Sequence, residues 1–428
     1  MPADSTAVLR STDSGTVRSN LLGTTLVFAL STVVFVALHW RGIPLSPDGW
    51  AYWQAAVSLA NGSGYRDFSG APLTAWPPLY SLYLSLWVRL LGATGVALIA
   101  ANGLLVILQS IVWLLAIRRI WCVERERRYM HAALGIAAYI ALYVPLTFQA
   151  AHSANLGLLC AGVMILATWM TSQSLNKQNQ YCWLAISIAA ATLSLLSHNV
   201  NLALVAGCAS ALLITRRNSP RDLAVAAGLL IVPIAVWLVV RWYLGQLGSH
   251  AVGISIANFS AMQYAVQIAF VVGNLMVPSA FGLPFLVSSG LLAWCFWALL
   301  GAAKYQQSPA VRFTAGLVLI SSGLTVLLFS LTSVTDPIGQ RFVGWIPILI
   351  VPAILIRATR LGVAVFLIAT ACSLTPNIHR FVIFSAIHAD LQPQREIGVL
   401  FPIEALISPN YTSGGPVQTD RGLLIAPP

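Results

Sequence analysis

The sequence predicts an all-α integral membrane protein, on three observations. First, 58% of the 428 residues are hydrophobic and only 8% are charged, whereas a soluble protein carries roughly 25% charged residues. Second, apolar stretches of about 20 residues recur along the chain, each long enough to cross the hydrocarbon core as a helix. Third, the basic residues form short clusters between these stretches, which is typical of cytoplasmic loops and not of a nucleic-acid-binding face.

The N-terminal region predicts a retained membrane anchor. The first apolar stretch, residues 21–38, follows a tail that holds Arg10 and Arg18. It is long for a signal sequence and lacks a small-x-small cleavage motif, so we expect residues 1–20 to be a cytoplasmic tail. The six cysteines show no paired metal-ligand spacing and most fall in apolar stretches. No metal site and no cofactor are therefore predicted.

The basic clusters also predict the topology. An even number of crossings must separate any two clusters that lie in the cytoplasm. This rule leaves no crossing for residues 77–91 or 262–277, which we expect to lie in the outer interface. The clusters are Arg118/Arg119 with Arg125, Arg127 and Arg128, then Lys177, Arg216/Arg217/Arg221, Lys304/Arg312 and Arg357/Arg360. The resulting prediction is about 11 transmembrane helices within residues 21–376, external loops at 39–94, 241–282 and 332–342, and an extracytoplasmic tail at 377–428.

Few charged residues are predicted on the outer side. No Asp, Glu, Lys or Arg lies in the middle of a predicted span, and the carboxylates outside the termini and cytoplasmic loops are Asp48, Asp67 and Asp336. This distribution favours chemistry at the outer surface over ion-coupled transport, which usually requires intramembrane charges. Basic residues there oppose the topology rule and are candidates for anion binding. They include Arg41, Arg66, Arg241 and Arg341.

Asp48 is the strongest candidate for a catalytic residue. The segment Ser46-Pro47-Asp48 also favours a helix start, with a serine cap and an acid in the first turn. Capping does not explain why this acid is isolated among external arginines. A carboxylate beside lipid is expected to have a raised pKa, which suits a general base. Asp67 is the second candidate, and a solvated turn residue next to Arg66 is an equal alternative for it.

The segment around Asp48 resembles a known family. An acid followed four residues later by Tyr52, a GxGY motif at residues 62–65 and a PPLY motif at 77–80 resemble the first extracytoplasmic loop of GT-C fold glycosyltransferases. That family includes protein mannosyltransferases and lipid A aminoarabinose transferases. The fold implied is a GT-C-like bundle with interfacial helices in the first long external loop.

A second stretch, residues 336–352, is similar to a late external loop of the same family. There an arginine-aromatic pair enters a proline-containing helix, as Arg341-Phe342 and Pro347 do here. The chain departs from the family where many relatives carry a second acid, at about Ala154 or Asn155. The resemblance therefore gives no support for a metal site.

The resemblance implies a glycosyltransferase of a bacterial inner membrane, with its active site facing the periplasm. The donor would be a hexose or pentose on a polyprenyl phosphate, and the acceptor a hydroxyl of a lipid, glycan or protein, usually with inversion. Asp48 would act as general base, and Arg341 would bind the carrier phosphate through its planar fork of donors. Further substrate-binding candidates are Arg241, Arg66, Asp336, His152, His198, Tyr52, Trp76 and Tyr80.

Alternatives remain open for these residues and for the function. Arg341 could snorkel to lipid headgroups, the histidines could be hydrogen-bonded structural residues, and the aromatic residues could form an interfacial belt. The protein could instead be a transporter or flippase for a lipid-linked sugar. It could also be a non-catalytic membrane assembly protein.

Overall fold

The structure is a computed structural model, and the residues it describes are predominantly helical. The described residues are 14–39, 47–74, 76–121, 130–148, 152–174, 176–216, 220–245, 261–276, 284–300, 308–331, 340–356, 358–374, 398–399, 417–418 and 424–426. The helices are α1 Ser14–His39, α2 Pro47–Ala60, α3 Leu79–Leu91, α4 Gly95–Trp121, α5 Met130–Thr147, α6 Ser153–Gln173, α7 Lys177–Ser197, α8 Leu202–Thr215, α9 Pro220–Tyr243, α10 Ala261–Met276, α11 Pro284–Leu300, α12 Pro309–Leu331, α13 Gln340–Val343, α14 Trp345–Leu355 and α15 Arg360–Leu374, with a 3₁₀ turn at Asn199–Asn201.

The helix lengths and composition confirm a multi-pass membrane protein. Among the described residues, 6 helices are long and apolar enough to cross a membrane: α1, α4, α6, α7, α9 and α12. The other predicted spans coincide with the shorter apolar helices α5, α8, α11, α14 and α15. The total of about 11 crossings therefore stays a prediction.

The two segments predicted to lie in the outer interface both form short helices. Helix α3 has 13 residues and α10 has 16, which gives lengths of about 20 and 24 Å at 1.5 Å per residue. Both are shorter than a hydrocarbon core of about 30 Å. One face of α3 is buried against the protein, while Leu82, Leu86 and Leu90 on another face are exposed, as a helix lying against lipid requires.

The long helices form one bundle with a continuous apolar core. Helix α6 packs against α7 and α4, α8 packs against α12, and α1 packs against α4 and α5. These helices are apolar around most of their circumference, so each can contact neighbours on several sides.

Three short strands in the C-terminal tail depart from the all-α prediction. They are β1 Gly398–Val399, β2 Val417–Gln418 and β3 Leu424–Ala426, paired antiparallel in the order β1-β3-β2. The tail contains short runs of valine, leucine and isoleucine between glycines and prolines, a composition that suits brief extended pairing.

The first GxGY glycine ends helix α2. Gly62 has a φ of +78°, its amide donates to the Leu59 carbonyl at 3.2 Å, and the Ser63 amide donates to the Ser58 carbonyl at 2.9 Å. These two bonds form a Schellman motif, which needs a residue that tolerates the left-handed conformation. Arg89 of α3 donates to the Leu59 carbonyl at 3.2 Å as well. Arg89 thus caps α2 and fastens it to α3.

Candidate functional site

The structure brings Asp48 into contact with three side chains from distant parts of the chain. Its Oδ2 accepts hydrogen bonds from Arg341 Nη1 at 2.9 Å and from His152 Nε2 at 3.1 Å. Its Oδ1 accepts one from the Trp76 indole nitrogen at 3.0 Å. The Asp48 side chain is 33% exposed, so this cluster lies at a surface that solutes can reach.

Helix ends place three of the four members of the cluster, and Trp76 lies in the loop before α3. Asp48 lies in the first turn of α2, and His152 is the N-cap residue of α6. Arg341 lies in the four-residue helix α13, which is anchored because the Tyr143 hydroxyl of α5 donates to the Gly344 carbonyl at 2.8 Å. The serine cap predicted at Ser46 lies outside the described residues.

The N-cap role of His152 determines which of its nitrogens carries the proton. The backbone amide of Ala154 donates to His152 Nδ1 at 3.0 Å, so Nδ1 acts as an acceptor and Nε2 carries the hydrogen in the neutral ring. His152 Nε2 therefore donates to Asp48. Arg341 Nη1 lies 2.9 Å from the same Nε2. Since both nitrogens carry hydrogens, this approach is a contact between two donors that share one carboxylate oxygen.

The electrostatics of Asp48 differ from the sequence prediction. Burial alone would raise its pKa, but the hydrogen bonds from His152 and Trp76 and the charge of Arg341 hold the pKa of Asp48 well below its ordinary value. The expectation of a raised pKa was wrong for this ligand-free arrangement. It considered desolvation by lipid and could not include three donors that are distant in sequence.

His198 is buried beside His152. Its ring centre is 5.9 Å from that of His152 and 5.4 Å from that of Phe342. Burial, followed by the electrostatic effects of His152 and then Arg341, lowers the pKa of His198 to about 3. The ring is therefore neutral near pH 7, so His198 can offer a phosphate a hydrogen bond but no positive charge.

The three aromatic substrate-binding candidates differ in how far they are buried. Trp76 is part-buried and bonds Asp48 directly. Tyr52 is 2% exposed, and its ring centre lies 5.3 Å from that of Tyr80 and 6.2 Å from that of His152. Tyr80 is fully buried, and its hydroxyl donates to Asn102. In this arrangement the Tyr80 side chain has no surface open to a substrate.

Asp67 and Arg66 are not part of the Asp48 cluster. The Asp67 carboxylate accepts from the Ser69 hydroxyl at 2.6 Å and from the Ala71 amide at 2.9 Å, and Arg66 donates to the Gly70 carbonyl at 3.2 Å. Both residues therefore stabilise a local exposed turn. This arrangement fits the alternative in which Asp67 is a turn residue. Asp336 and Arg41 lie outside the described residues.

Arg241 is buried at the end of α9, and its guanidinium carbon lies 5.2 Å from the centre of the Trp237 ring. The Trp237 indole donates to the Asn199 side chain at 3.0 Å, and Asn199 follows His198 directly. Arg241 is thus connected to the edge of the site only indirectly, through the side chains of Trp237 and Asn199.

Sequence reasoning missed a buried polar network beside the site. The Asn102 side-chain oxygen accepts from the Tyr80 hydroxyl at 2.8 Å and from the Asn155 amide at 3.4 Å. Asn155 is 2% exposed. It lies near the place where the family resemblance expects a second acid, and here it packs between helices instead. The sequence contained one signal of this network, namely the polar residues Asn102 and Asn155 within the apolar stretches of α4 and α6.

The site lies at one end of the bundle. Asn102 near the start of α4 is close to it, whereas Arg118 and Arg119 end the same helix. At the far end of α6, Arg216 donates to the carbonyls of Thr171 and Ser174. Arg118, Arg119 and Arg216, three of the arginines predicted to be cytoplasmic, therefore lie at the end of the bundle opposite to Asp48.

Two apolar cavities follow α14 away from the site. The smaller is lined by Ile346 and Ile350, and the larger, of about 470 Å³, by Ile350, Ile354 and the aromatic Trp121. Trp121 is 19 residues beyond Asn102 on α4, which corresponds to about 28 Å. The smaller cavity has a volume of only about 20 Å³, so the larger one, near the Trp121 end of α4, provides most of this apolar space.

Among the described residues, no group of three or more His, Cys, Asp or Glu side chains is arranged to hold a metal ion. The chemistry available at the described site is that of one carboxylate, one guanidinium, two imidazoles and an indole.

Comparisons with known proteins give two similar structures. No family model matches the chain, and no curated protein does. The crystal structure of ArnT from Cupriavidus metallidurans bound to undecaprenyl phosphate is 17% identical, with a TM-score of 0.48, and the match covers 93% of this chain and 83% of that one. The apo structure of the same protein is 16% identical, with a TM-score of 0.43, over 86% and 79% of the two chains. At this similarity neither the activity nor the ligand of ArnT carries over to this chain.

Proposed function

We propose that the protein is a membrane glycosyltransferase that moves a sugar from a polyprenyl-phosphate carrier to an acceptor hydroxyl at the extracytoplasmic face. The observation that supports this most directly is the 2.9 Å contact between Asp48 Oδ2 and Arg341 Nη1 at an accessible end of a membrane bundle. The contact puts a potential proton acceptor and a potential phosphate ligand side by side. Glycosyl transfer from a phosphate needs both groups.

The proposed reaction is a single displacement at the anomeric carbon. The acceptor hydroxyl oxygen forms the new bond to that carbon while the bond from the carbon to the carrier phosphate oxygen breaks. The bonding electron pair leaves with the phosphate, whose added charge Arg341 stabilises. Asp48 accepts the hydroxyl proton. A direct displacement of this kind inverts the anomeric configuration.

The contact between Asp48 and Arg341 makes the proposed reaction depend on donor binding. In the ligand-free arrangement Asp48 is a weak base, because its charge is stabilised by Arg341, His152 and Trp76. A carrier phosphate competes for Arg341 and places a second anion beside the carboxylate. Both changes raise the pKa of Asp48 toward the range in which it can accept a proton. The donor thus prepares the base that acts on the acceptor.

The larger apolar cavity beside α14, of about 470 Å³, suits the hydrocarbon part of such a donor. Ile350, which lines it, is nine residues after Arg341. A phosphate at Arg341 would place the first isoprene units next to this side of α14. Burial of a polyprenyl chain there needs no polar partner.

The charge distribution supports the proposed extracytoplasmic orientation. Arg118, Arg119 and Arg216 lie at the opposite end of the bundle from Asp48, and short loops rich in basic residues stay in the cytoplasm. A bacterial inner membrane with the site facing the periplasm is part of this proposal.

The test uses purified protein in lipid nanodiscs with a panel of undecaprenyl-phosphate-linked hexoses and pentoses. Undecaprenyl phosphate is the lipid in the ArnT crystal structure and is a natural first carrier to try. Mass spectrometry follows the release of free undecaprenyl phosphate and the appearance of a glycosylated membrane acceptor. We expect release by the wild type and at least a hundredfold slower release by Asp48→Asn, from the usual size of general-base catalysis, about 10²- to 10⁴-fold.

The rival functions give different results when the same purified protein is also reconstituted into lipid vesicles. A flippase would move the intact donor across a vesicle membrane, and Asp48→Asn would leave that movement unchanged. A non-catalytic assembly protein would neither release the carrier nor move it. Either result would overturn the proposed reaction.

A further inference from the structure

Tyr65, the last residue of the GxGY motif, hydrogen-bonds the backbone that carries Trp76. Its hydroxyl lies 3.0 Å from the Trp76 carbonyl and 3.3 Å from the Pro77 carbonyl. Trp76 in turn donates from its indole nitrogen to Asp48 Oδ1 at 3.0 Å. Two consecutive hydrogen-bonded links therefore connect Tyr65 to the carboxylate.

The loop geometry that brings Tyr65 to Trp76 depends on a second glycine. Gly64 has a φ of +87°, and the chain after it folds back so that the Leu73 amide donates to the Tyr65 carbonyl at 3.2 Å. A side chain at Gly64 would be strained in this conformation. The turn at residues 65–73 thus returns the chain toward α2, with the Tyr65 ring directed at residues 76 and 77.

Packing fixes the same arrangement on α2. Tyr65 and Trp76 both pack against a small buried cluster of Ala51, Ala55 and Leu73. Ala51 and Ala55 are three and seven residues after Asp48, so they lie on the same face of α2 as the carboxylate. The cluster therefore holds the Tyr65–Trp76 pair against the helix face from which Asp48 projects.

We propose that Tyr65 is a positioning residue for Asp48, acting through Trp76. The inference rests on the proposed transfer reaction. Trp76 holds Oδ1, while Arg341 and His152 share Oδ2. When a carrier phosphate takes Arg341, the Trp76 bond is one of the two that still orient the carboxylate. Without the Tyr65 hydroxyl, the backbone at residues 76 and 77 is free to shift and the indole loses its alignment with Oδ1.

The test compares Tyr65→Phe with Tyr83→Phe. Tyr83 is a matched control because its hydroxyl also donates to a backbone carbonyl, that of Ala101 at 2.7 Å, without touching Asp48 or Trp76. We expect Tyr65→Phe to lower kcat by about tenfold, the effect of one well-aligned hydrogen bond. The KM for the carrier should stay unchanged, because Tyr65 does not touch the proposed phosphate site. Tyr83→Phe should leave both constants unchanged.

A spectroscopic signal reports the positioning without any turnover. In protein labelled with ¹⁵N-tryptophan, the Trp76 indole resonance is identified among the 14 tryptophans by its loss in Trp76→Phe. Asp48→Asn should shift this resonance, because the charged acceptor is removed. Tyr65→Phe should shift it as well, and Tyr83→Phe should not. An unmoved resonance in Tyr65→Phe overturns the inference.

Two further results separate the possible failures. If Tyr65→Phe does not fold, Trp76→Phe removes the indole donor to Asp48 directly and should show the same loss of kcat. An unchanged kcat in Trp76→Phe overturns the inference. If the folded wild type transfers no sugar from any donor in the panel, the proposed function fails, and the indole resonance still shows whether Tyr65 holds Trp76 on Asp48.

Discussion

Arg341 Nη1 lies 2.9 Å from Asp48 Oδ2, although the two residues are 293 positions apart in the chain. The proposed base and the proposed phosphate ligand are thus partners of each other when no ligand is bound. Each side chain therefore restrains the other. A substitution of either residue should change both the binding of the carrier and the rate of transfer, and these two quantities can be measured separately.

Asp48→Asn should preserve the fold and abolish transfer. Asparagine keeps the shape and the acceptor oxygen for Trp76 but cannot accept a proton at working pH, so the rate should fall by about 10²- to 10⁴-fold. Single-turnover release of undecaprenyl phosphate measures the loss. Asp67→Asn is the matched control in the same loop, and we expect it to keep the wild-type rate. Transfer by Asp48→Asn at more than a tenth of the wild-type rate would show that Asp48 is not the base.

Arg341→Ala should weaken carrier binding and slow the release of the phosphate, whereas Arg341→Lys should recover only part of both. The lysine keeps the positive charge but lacks the planar fork of donors. Binding of undecaprenyl phosphate to nanodisc-embedded protein and the transfer rate are measured on the same samples. Wild-type values for both in Arg341→Ala would leave headgroup snorkelling as the explanation of this arginine.

The pH dependence should differ between the free protein and the carrier complex. The pKa of Asp48 is depressed in the free protein, so the acidic limb of kcat/KM should lie below the pKa of an ordinary aspartate, about 3.9. Once the phosphate takes Arg341, the acidic limb of kcat should lie at higher pH. Profiles of the two parameters from pH 3 to 8 test this shift, because kcat should fall at a pH where kcat/KM is still constant. Coincident limbs would mean that Arg341 stays on Asp48 during turnover.

The same depressed pKa has a consequence for stability. A carboxylate with a lowered folded-state pKa contributes stability above its unfolded-state pKa, about 3.9, and loses that contribution as the pH falls toward the folded value. The difference in Tm between the wild type and Asp48→Asn should therefore be constant from about pH 5 to 8. It should shrink below about pH 4. A difference that shrinks already between pH 8 and 6 would contradict the assigned direction.

Substitutions at His152 should separate its two roles. His152→Ala removes both the cap on α6 and the hydrogen bond to Asp48, so we expect a loss of about 1 kcal/mol in stability together with slower transfer. His152→Asn supplies a cap oxygen but does not reproduce the reach of Nε2. It should regain the stability and not the rate. Thermal unfolding and transfer assays on both variants provide the comparison, and equal rates for His152→Asn and the wild type would reduce His152 to a cap.

The topology is tested by cysteine accessibility. A cysteine at Ala93, just after α3, should label from the extracytoplasmic side, because the parity of the basic clusters keeps α3 in the outer interface. Labelling only from the cytoplasm would show that α3 crosses the membrane.

Much of the helical architecture was predictable, because long apolar stretches and basic clusters are local features of the sequence. Asp48 and Arg341 could be selected individually, since each is an unusual charge beside a predicted span. The contact between Asp48 and Arg341 and the direction of the Asp48 pKa shift could not be predicted from the sequence. Both depend on donors that are 28, 104 and 293 residues away from Asp48. The Tyr65–Trp76 link was partly visible in the two glycines of GxGY, which indicate a tight turn but not the residue that the tyrosine reaches.

The separation between Asp48 and Arg341 also bears on how the protein is made. During synthesis α2 leaves the ribosome before α13 has been translated. Asp48 is therefore without Arg341 until the helices between them have been synthesised. The contact between Asp48 and Arg341 can therefore form only after α13 has been synthesised. A chain that stops before residue 340 would carry the loop without Arg341, and the site would be completed only in molecules whose synthesis has passed that point.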